Sequence, residues 1–316
     1  MTEAYRPWVV PFWTRYWTTL RPYLFAVSGS AGLVGLAASG AGRGALTGST
    51  LVFLVAYGLG QAVTDADQTD TDAISAPYRP LVRGEVRPAD VRIVSLVGLA
   101  GCGTWLAVLN PWTLVPTVLA VAGLVTYTSL KRRWWGGPPW NSAIVALLPV
   151  TGWLVGGGDP LDALAAGRVR LAMVSVFGTY AAFVLLGYLK DMAADRLTGY
   201  ETVPVRFGRG RAVVLSAVFA GFGLLASLWL VLDGARGPWV VVWSAGVVLI
   251  ARAHALAAGV RRDEDAYPAI VSVVLGFTLL HFGEACALRP SLFPAALLLA
   301  LGSLVLLVDR PVQRQI

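Results

Sequence analysis

The chain has 316 residues, of which 56% are hydrophobic and only 14% are charged. In soluble domains about a quarter of the residues are charged. This composition therefore excludes an ordinary water-soluble protein and indicates a surface that lies mostly in lipid. The net charge of +7 comes without any nucleic-acid-binding motif, so we expect no nucleic-acid partner.

The N-terminal stretch "MTEAYRPWVVPFWTRYW" is aromatic and mixed in charge. It lacks the basic start and short apolar core of a cleavable signal peptide. Tryptophan and tyrosine settle at the headgroup level of a bilayer. We therefore predict an N-terminal interfacial segment over residues 1–20 and a single transmembrane helical domain over residues 21–309.

Apolar runs long enough to cross a bilayer fill this second region, since a helix needs about 20 apolar residues to span the hydrocarbon. The sequence therefore predicts an all-α, polytopic membrane protein. The candidate spans are 21–42, 45–72, 89–109, 111–128, 139–157, 170–195, 210–233, 237–259, 266–288 and 291–308.

Lysine and arginine gather after the second, fourth, sixth and eighth spans. Short cytoplasmic loops carry an excess of these residues, so we expect these loops and both termini in the cytoplasm. Arg310 and Arg314, after the last run, fall on the same side if there are ten spans. The loop residues are Arg79, Arg83, Arg87, Lys131, Arg132, Arg133, Arg196, Arg206, Arg209, Arg211, Arg261 and Arg262.

A first acidic cluster, "GQAVTDADQTDTDAISAPYRPLVRG", ends the second span. If the helix continues through it, each residue turns about 100°. Asp65, Gln68 and Asp72 then share one face, with Gln61 a turn deeper, while the other two aspartates point elsewhere.

A second cluster, "GYLKDMAADRLTGYETVPVRFG", ends the sixth span at the same membrane surface, and its Asp191 and Asp195 are four residues apart. Facing carboxylates at membrane depth are costly unless divalent cations lie between them, and Mg²⁺ prefers oxygen ligands. The neighbouring cations suit an anionic phosphate, so together the clusters predict a lipid diphosphate substrate. The alternative is that both clusters are ordinary solvated helix ends.

These stretches resemble the two motifs of the UbiA superfamily of intramembrane prenyltransferases. The first family motif, N-x-x-x-D-x-x-x-D with a following P-x-R-P-L and glycine, resembles residues 61–84, where "DTDAISAPYRPLVRG" contains Asp72 and Arg79. The second motif, D-x-x-x-D before Gly, Thr, Pro and Gly, resembles residues 187–208. Tyr127, Lys131 and Asn141 fit loosely the Tyr, Lys and Asn that the family has between them. The resemblance covers roughly residues 20 to 260.

The chain departs from the family at two points. Gln68 and Thr64 stand where the family prefers Asp and Asn. We expect Asp65 to replace the missing acid, although a helix break could instead turn Asp67 or Asp70 inward. The family usually has nine spans and the chain has ten candidates, so we expect nine to ten transmembrane helices around a central lipid-facing chamber.

The resemblance implies a Mg²⁺-dependent enzyme that ionises a prenyl diphosphate and transfers the prenyl group to an aromatic or other lipophilic acceptor. The alternative is a membrane terpene cyclase of the same superfamily, which needs no acceptor. We expect the protein in a prokaryotic cell membrane, with the active-site loops cytoplasmic and the lipid bilayer, the prenyl diphosphate and any acceptor as its partners. The implied metal ligands and catalytic acids are Asp65, Asp72, Asp191 and Asp195, with Tyr127 as a cation-stabilising ring. The implied substrate-binding residues are Gln61, Gln68, Arg79, Lys131, Asn141, Tyr188, Lys190 and Arg206.

Other ionisable residues lie within predicted spans, where they are functional candidates by default. His281 and Glu284 are three residues apart, and Arg252 lies in the preceding span. We expect a helix-to-helix bond here, such as Glu284 with Arg252, because neither lies near the depth of the acidic clusters. The two cysteines, Cys102 and Cys286, sit in apolar runs and are interpreted as small buried hydrophobic residues.

Overall fold

A computed structural model describes residues 4–234 and 236–309, and all its regular elements within those ranges are α-helices or short 3₁₀ turns. The helices are α1 Val10–Leu20, α2 Phe25–Ser39, α3 Arg43–Asp67, α4 Thr69–Ser75, α5 Pro88–Leu109, α6 Leu114–Lys131, α7 Gly137–Leu154, α8 Pro160–Ala165, α9 Gly167–Gly187, α10 Met192–Leu197, α11 Val203–Phe207, α12 Arg209–Leu232, α13 Trp239–Ala258, α14 Tyr267–Leu288 and α15 Phe293–Val308.

Each of the ten predicted spans contains one long helix, which confirms the all-α membrane fold. Within the described ranges, nine stretches are long and apolar enough to cross a membrane, and α1 and α2 together form the first of them, Val10–Ser39. The tenth helix, α7, is not one of these because it begins with the less apolar residues "GPPWNS". It is nevertheless well buried, packed between α2, α6 and α9.

Two of the predicted spans end earlier than their apolar length suggests, and the expectation of one continuous helix through the first acidic cluster is wrong. The backbone of Gln68 leaves helical geometry, with φ −117° and ψ 24°, so α3 ends at Asp67 and α4 begins at Thr69. Likewise, α9 ends at Gly187 and is followed by a 3₁₀ turn before α10. Asp65 and Asp67 therefore lie in the last turn of the long helix α3, whereas the other acids of the two clusters lie on short segments outside the long helices.

The bundle is closed by tight contacts between small residues, as is typical of membrane helices. A methyl group on Gly178 of α9 would lie 2.5 Å from the carbonyl oxygen of Phe219 in α12. This leaves no space for a side chain, so α9 and α12 pack backbone to backbone. The position of α9, which leads into the second acidic cluster, is therefore fixed against α12.

The helix-to-helix bond expected from Glu284 exists, but the expected partner Arg252 is wrong. Glu284 accepts a hydrogen bond of 2.6 Å from the Ser175 hydroxyl in α9, and its other oxygen lies 2.8 Å from Nδ1 of His281. The other ring nitrogen of His281 lies 3.1 Å from the Thr179 hydroxyl, while Arg252 is exposed. These hydrogen bonds therefore connect α14 to α9. Arg252 takes no part in them because it lies on the outer face of α13.

The loops alternate between two ends of the bundle, and α4, α10 and α11 lie together at one of them, called here the acidic end. The Thr71 hydroxyl of α4 lies 3.1 Å from that of Thr198, which follows α10. The helix α1 packs beside this end, with Trp13 and Trp17 exposed. Residues 1–3 of the predicted interfacial segment, and Arg310 and Arg314, lie outside the described residues.

Candidate active site

A chamber opens at the acidic end and extends into the bundle between α2, α3, α5, α6, α7 and α9. One face of α3 lines its length, with Asp65, Gln61, Tyr57 and Phe53 at intervals of four residues. At about 1.5 Å per residue, the twelve residues from Asp65 to Phe53 give a depth of about 18 Å. The polar residues gather near the top of this chamber, and its lower part is mostly apolar.

Asp65 lies at the top of the chamber and is 4% exposed. It accepts a hydrogen bond of 2.5 Å from Arg21 and one of 2.8 Å from the Gln61 amide. Arg79 lies 3.7 Å from Asp65 and also donates to Asp72. Asp65 and Asp72 therefore share one guanidinium group, although the helix breaks between them.

The other two aspartates of the first cluster face away from the chamber. Asp67 pairs with Arg92 of α5, and Asp70 pairs with Arg132 at 3.0 Å, both on the outside of the bundle. The break at Gln68 does not turn either of them inward. The structure therefore brings Asp65 and Asp72 into the chamber. This agrees with the expectation that Asp65, and not Asp67 or Asp70, lies beside Asp72.

The second cluster contributes one carboxylate to the chamber wall and keeps one behind it. Asp191 lines the chamber, with both oxygens 2.9 Å from the ammonium nitrogen of Lys190. Asp195 is completely buried and lies outside the lining, where it accepts a hydrogen bond of 3.1 Å from Thr202. Its second oxygen lies 3.8 Å from the Lys131 nitrogen, so Asp195 holds Lys131 towards the chamber.

The pKa values of the acids at this end differ with their surroundings. Burial raises the pKa of Asp195 to about 6, although Lys131 opposes this. Burial also raises the pKa of Asp72, against the effect of Arg79. Burial acts in the same direction on Asp191 and is the largest single effect there, but Lys190, Lys131 and Arg79 together outweigh it and hold the pKa below its ordinary value. Of these three carboxylates, Asp191 therefore ionises most readily.

Aromatic side chains form a band directly below the charged groups. The hydroxyls of Tyr127 and Tyr188 lie 2.9 Å apart, and Asn141 interacts with Tyr127 and with Tyr180. The Lys131 nitrogen lies 5.3 Å from the centre of the Tyr188 ring and donates a hydrogen bond of 3.1 Å to Gln68. Such rings attract positive charge to their faces.

The donor set fits magnesium held jointly with a phosphate ligand. Across the described ranges, no group of three His, Cys, Asp or Glu side chains could hold a metal ion. Mg²⁺ is usually bound through one or two carboxylates together with water and substrate phosphate oxygens. Asp65, Asp72 and Asp191 supply such carboxylates in one polar region of the chamber wall.

Sequence reasoning missed some lining residues and included two that lie outside the chamber lining, Asp195, which was expected to be a metal ligand, and Arg206. Arg21 lies in the chamber wall with a left-handed backbone, φ 52°. The only sequence signal for it is a charged residue directly before a proline at the start of an apolar run. Tyr57 and Tyr180 also line the chamber. The predicted substrate-binding residue Arg206 lies outside it, at the surface, where it donates a hydrogen bond of 2.7 Å to Glu201.

The sequence profile of the UbiA prenyltransferase family matches residues 23–277. The chain belongs to this family. It is similar to the digeranylgeranylglyceryl phosphate synthase of Halobacterium salinarum, at 33% identity over 70% of this chain and 79% of the relative. The enzyme of the same name from Thermococcus kodakarensis is 29% identical over 66% of this chain and 74% of the relative.

Solved structures of UbiA homologues have the same fold. The apo homologue from Aeropyrum pernix K1 gives a TM-score of 0.67 at 18% identity, covering 88% of this chain and 98% of that chain. A homologue from Archaeoglobus fulgidus bound to GPP and Mg²⁺ gives 0.60 at 18% identity, covering 86% and 99%. This UbiA family member is therefore an integral membrane enzyme, an intramembrane prenyltransferase that acts on prenyl diphosphates.

Proposed function

We propose that this enzyme is a Mg²⁺-dependent prenyltransferase that ionises a prenyl diphosphate at the acidic end and transfers the prenyl group to a lipophilic acceptor. One observation carries this proposal: three carboxylates and four cations meet at the top of a chamber whose lower part is mostly apolar. The carboxylates are Asp65, Asp72 and Asp191, and the cations are Arg21, Arg79, Lys131 and Lys190.

The charged groups bind and orient the diphosphate. Arg79, Lys131 and Lys190 donate hydrogen bonds to its oxygens, and Asp65, Asp72 and Asp191 are the residues that would hold the magnesium. Bound Mg²⁺ withdraws charge from the phosphate oxygens and so stabilises the leaving group. Preorganised donors are worth most where water is excluded, and the Thr71–Thr198 contact keeps α4 and the end of α10 together over this site.

The prenyl chain extends from the diphosphate into the apolar part of the chamber. The carbon–oxygen bond then breaks beside the aromatic band. Tyr127 and Tyr188 stabilise the allylic cation through their ring faces. Their mutual hydrogen bond fixes both rings, so they need not reorient as charge develops.

For the acceptor, we propose a prenylated glyceryl phosphate. The relatives are named for a product of this kind, and Arg21 offers this chain a cation beyond the three assigned to the diphosphate. The acceptor hydroxyl oxygen forms the new bond to the allylic carbon, and its proton leaves with the released diphosphate. The phosphate of the acceptor lies at the charged end, and its prenyl chain lies in the bilayer or the chamber.

A terpene cyclase is the second candidate, favoured by one specific observation. Tyrosines surround the upper chamber on three helices, Tyr57 on α3, Tyr127 on α6 and Tyr180 on α9. An aromatic contour of this kind can fold one chain around its own cation. The acceptor then has no role, and the products are cyclic hydrocarbons or alcohols.

Incubation of purified protein with Mg²⁺ and geranyl, farnesyl or geranylgeranyl diphosphate separates the two functions. We expect no product without acceptor, turnover when a prenylated glyceryl phosphate is added, and no turnover in EDTA. Cyclic hydrocarbon or terpene alcohol released without acceptor would refute transfer in favour of cyclisation. Full activity in EDTA would refute the role of magnesium.

A further inference from the structure

Small residues form part of the chamber wall on the side formed by α3, α5 and α6, among larger ones such as Leu99, Val121 and Leu124. Gly60 and Ala56 lie on α3, Gly103 on α5 and Ala120 on α6, all in the chamber wall. The side formed by α7 and α9 carries larger residues, including Ile144, Leu148, Tyr180 and Phe183. Leu124 packs over Gly60, because a methyl group on this glycine would lie 3.1 Å from the leucine side chain. Ala56 and Ala120 are therefore the small residues that leave a lane beside α3 and α6, in which an extended alkyl chain fits.

The depth of each small residue can be measured along its helix, because α3 and α6 both run towards the acidic end. Ala56 is nine residues from Asp65, and Ala120 is eleven residues from Lys131. At about 1.5 Å per residue, they lie about 13 and 16 Å below the charged groups. An isoprene unit contains four chain bonds of about 1.5 Å, so an extended unit advances about 5 Å. Ala56 therefore lies beside the third unit and Ala120 beside the fourth.

The lane ends close to this depth. Phe53 lies about 18 Å below Asp65, and it is 1% exposed. A methyl group on Gly32 would come within 2.3 Å of the Phe53 ring, so α2 holds this ring in place. On the other side, a methyl group on Gly103 would lie 3.2 Å from the Thr117 methyl, so α5 and α6 meet there. A fifth extended unit, reaching about 25 Å, exceeds this length.

We propose that this lane selects a prenyl chain of about four isoprene units, with Ala56 and Ala120 as its specificity-determining residues. The inference rests on the proposed binding of a prenyl diphosphate at the acidic end. A larger side chain at either position shortens the lane from the bottom. It excludes long chains and leaves the charged end intact.

The test compares geranyl, farnesyl and geranylgeranyl diphosphates with two variants. Ala120→Phe blocks the fourth unit, so kcat/KM for geranylgeranyl diphosphate falls at least about tenfold, while the values for the two shorter substrates hold. Ala56→Phe blocks the third unit, so the values for both longer substrates fall and that for geranyl diphosphate holds. An equal loss for all three lengths, or no loss for any, overturns the proposal.

Matched controls separate chamber filling from general disturbance of the helices. Val55→Phe and Leu119→Phe add the same ring beside the test positions, but these residues point outward and are 40% and 57% exposed. We expect no change in length preference. If a phenylalanine variant does not fold, Ala56→Leu and Ala120→Leu give the same order of selectivity with smaller fold-changes, and a flat profile in these variants overturns the proposal equally.

Dissociation constants for unreactive thiolodiphosphate analogues of the three chain lengths test length selection separately from catalysis. If the wild type binds them but transfers nothing, the proposed reaction fails, and length selection is judged from the binding constants of the variants. If the wild type binds none of them, both proposals fall together. If it binds and reacts but the variants lose every length alike, only the lane is wrong.

Discussion

The replacement Asp65→Asn tests whether Asp65 supplies the acid that the first motif lacks, since Gln68 stands where the family prefers aspartate. We expect turnover to fall as far as in Asp72→Asn, because both carboxylates line the chamber at the proposed diphosphate site and share Arg79. Asp67→Asn and Asp70→Asn are matched controls from the same cluster, since their partners lie outside the chamber. They should retain most of the activity.

The expected magnitudes follow from burial. Removing one partner of a buried ion pair costs about 3–5 kcal/mol, and Asp65→Asn leaves the Arg21 guanidinium without the carboxylate at 2.5 Å. Asparagine keeps a hydrogen bond with Gln61, so we expect a stability loss near the lower value. An exposed pair contributes about 0–1 kcal/mol. For turnover, losing one preorganised group at the site of developing charge costs about 100-fold or more in kcat, or about 2.7 kcal/mol.

The assay is diphosphate release with donor and acceptor present, together with thermal unfolding of each variant in detergent. A variant that remains folded at the assay temperature and has lost turnover supports the assignment. An active Asp65→Asn enzyme, with Asp67→Asn or Asp70→Asn inactive, would show that another acid of the cluster faces the substrate.

Two further predictions concern stability and orientation. Glu284→Ala should destabilise the protein by about 3 kcal/mol, because it leaves the buried partners of this carboxylate without a hydrogen-bond acceptor. Arg252→Ala should change the stability by less than about 0.5 kcal/mol. Equal shifts in melting temperature for the two variants would contradict the buried cluster. Single cysteines, in a chain whose native cysteines are replaced by alanine, should report the orientation to an impermeant thiol reagent applied to intact cells. Leu161→Cys should be labelled and Arg133→Cys protected, and the opposite result would invert the expected topology.

Hydropathy and loop charge were enough to locate the helices and to bring the two acidic clusters to one end. Each long apolar run must cross the membrane, so the ends of the second and sixth spans fall on the same side. This alternation needs no knowledge of packing. It placed Asp72 and Asp191 at the same end of the bundle, and in the structure both line one chamber.

Breaks and rotations of helices were not predictable in the same way. Gln68 is neither glycine nor proline, yet the backbone leaves the helix there, where the Gln68 side chain bonds to Thr128 and Lys131 of α6. The partner of Glu284 depends on how α9 and α13 are rotated, and a single apolar sequence does not reveal this. Arg206 was assigned by its proximity to the second motif, but α11 buries Val203 and Pro204 and turns the arginine outward.

The ion pairs around the acidic end have a consequence for turnover. Asp65, Asp72, Asp191 and Asp195 are balanced by an equal number of cations, so the empty site is electrically neutral. A diphosphate and its metal ion therefore do not bind to unpaired charges. They replace existing ion pairs between these carboxylates and cations. Because such an exchange returns only the difference between two sets of ion pairs, we expect the inorganic product to be held less tightly than it would be by unpaired cations. Re-formation of the original pairs should then favour release of this product.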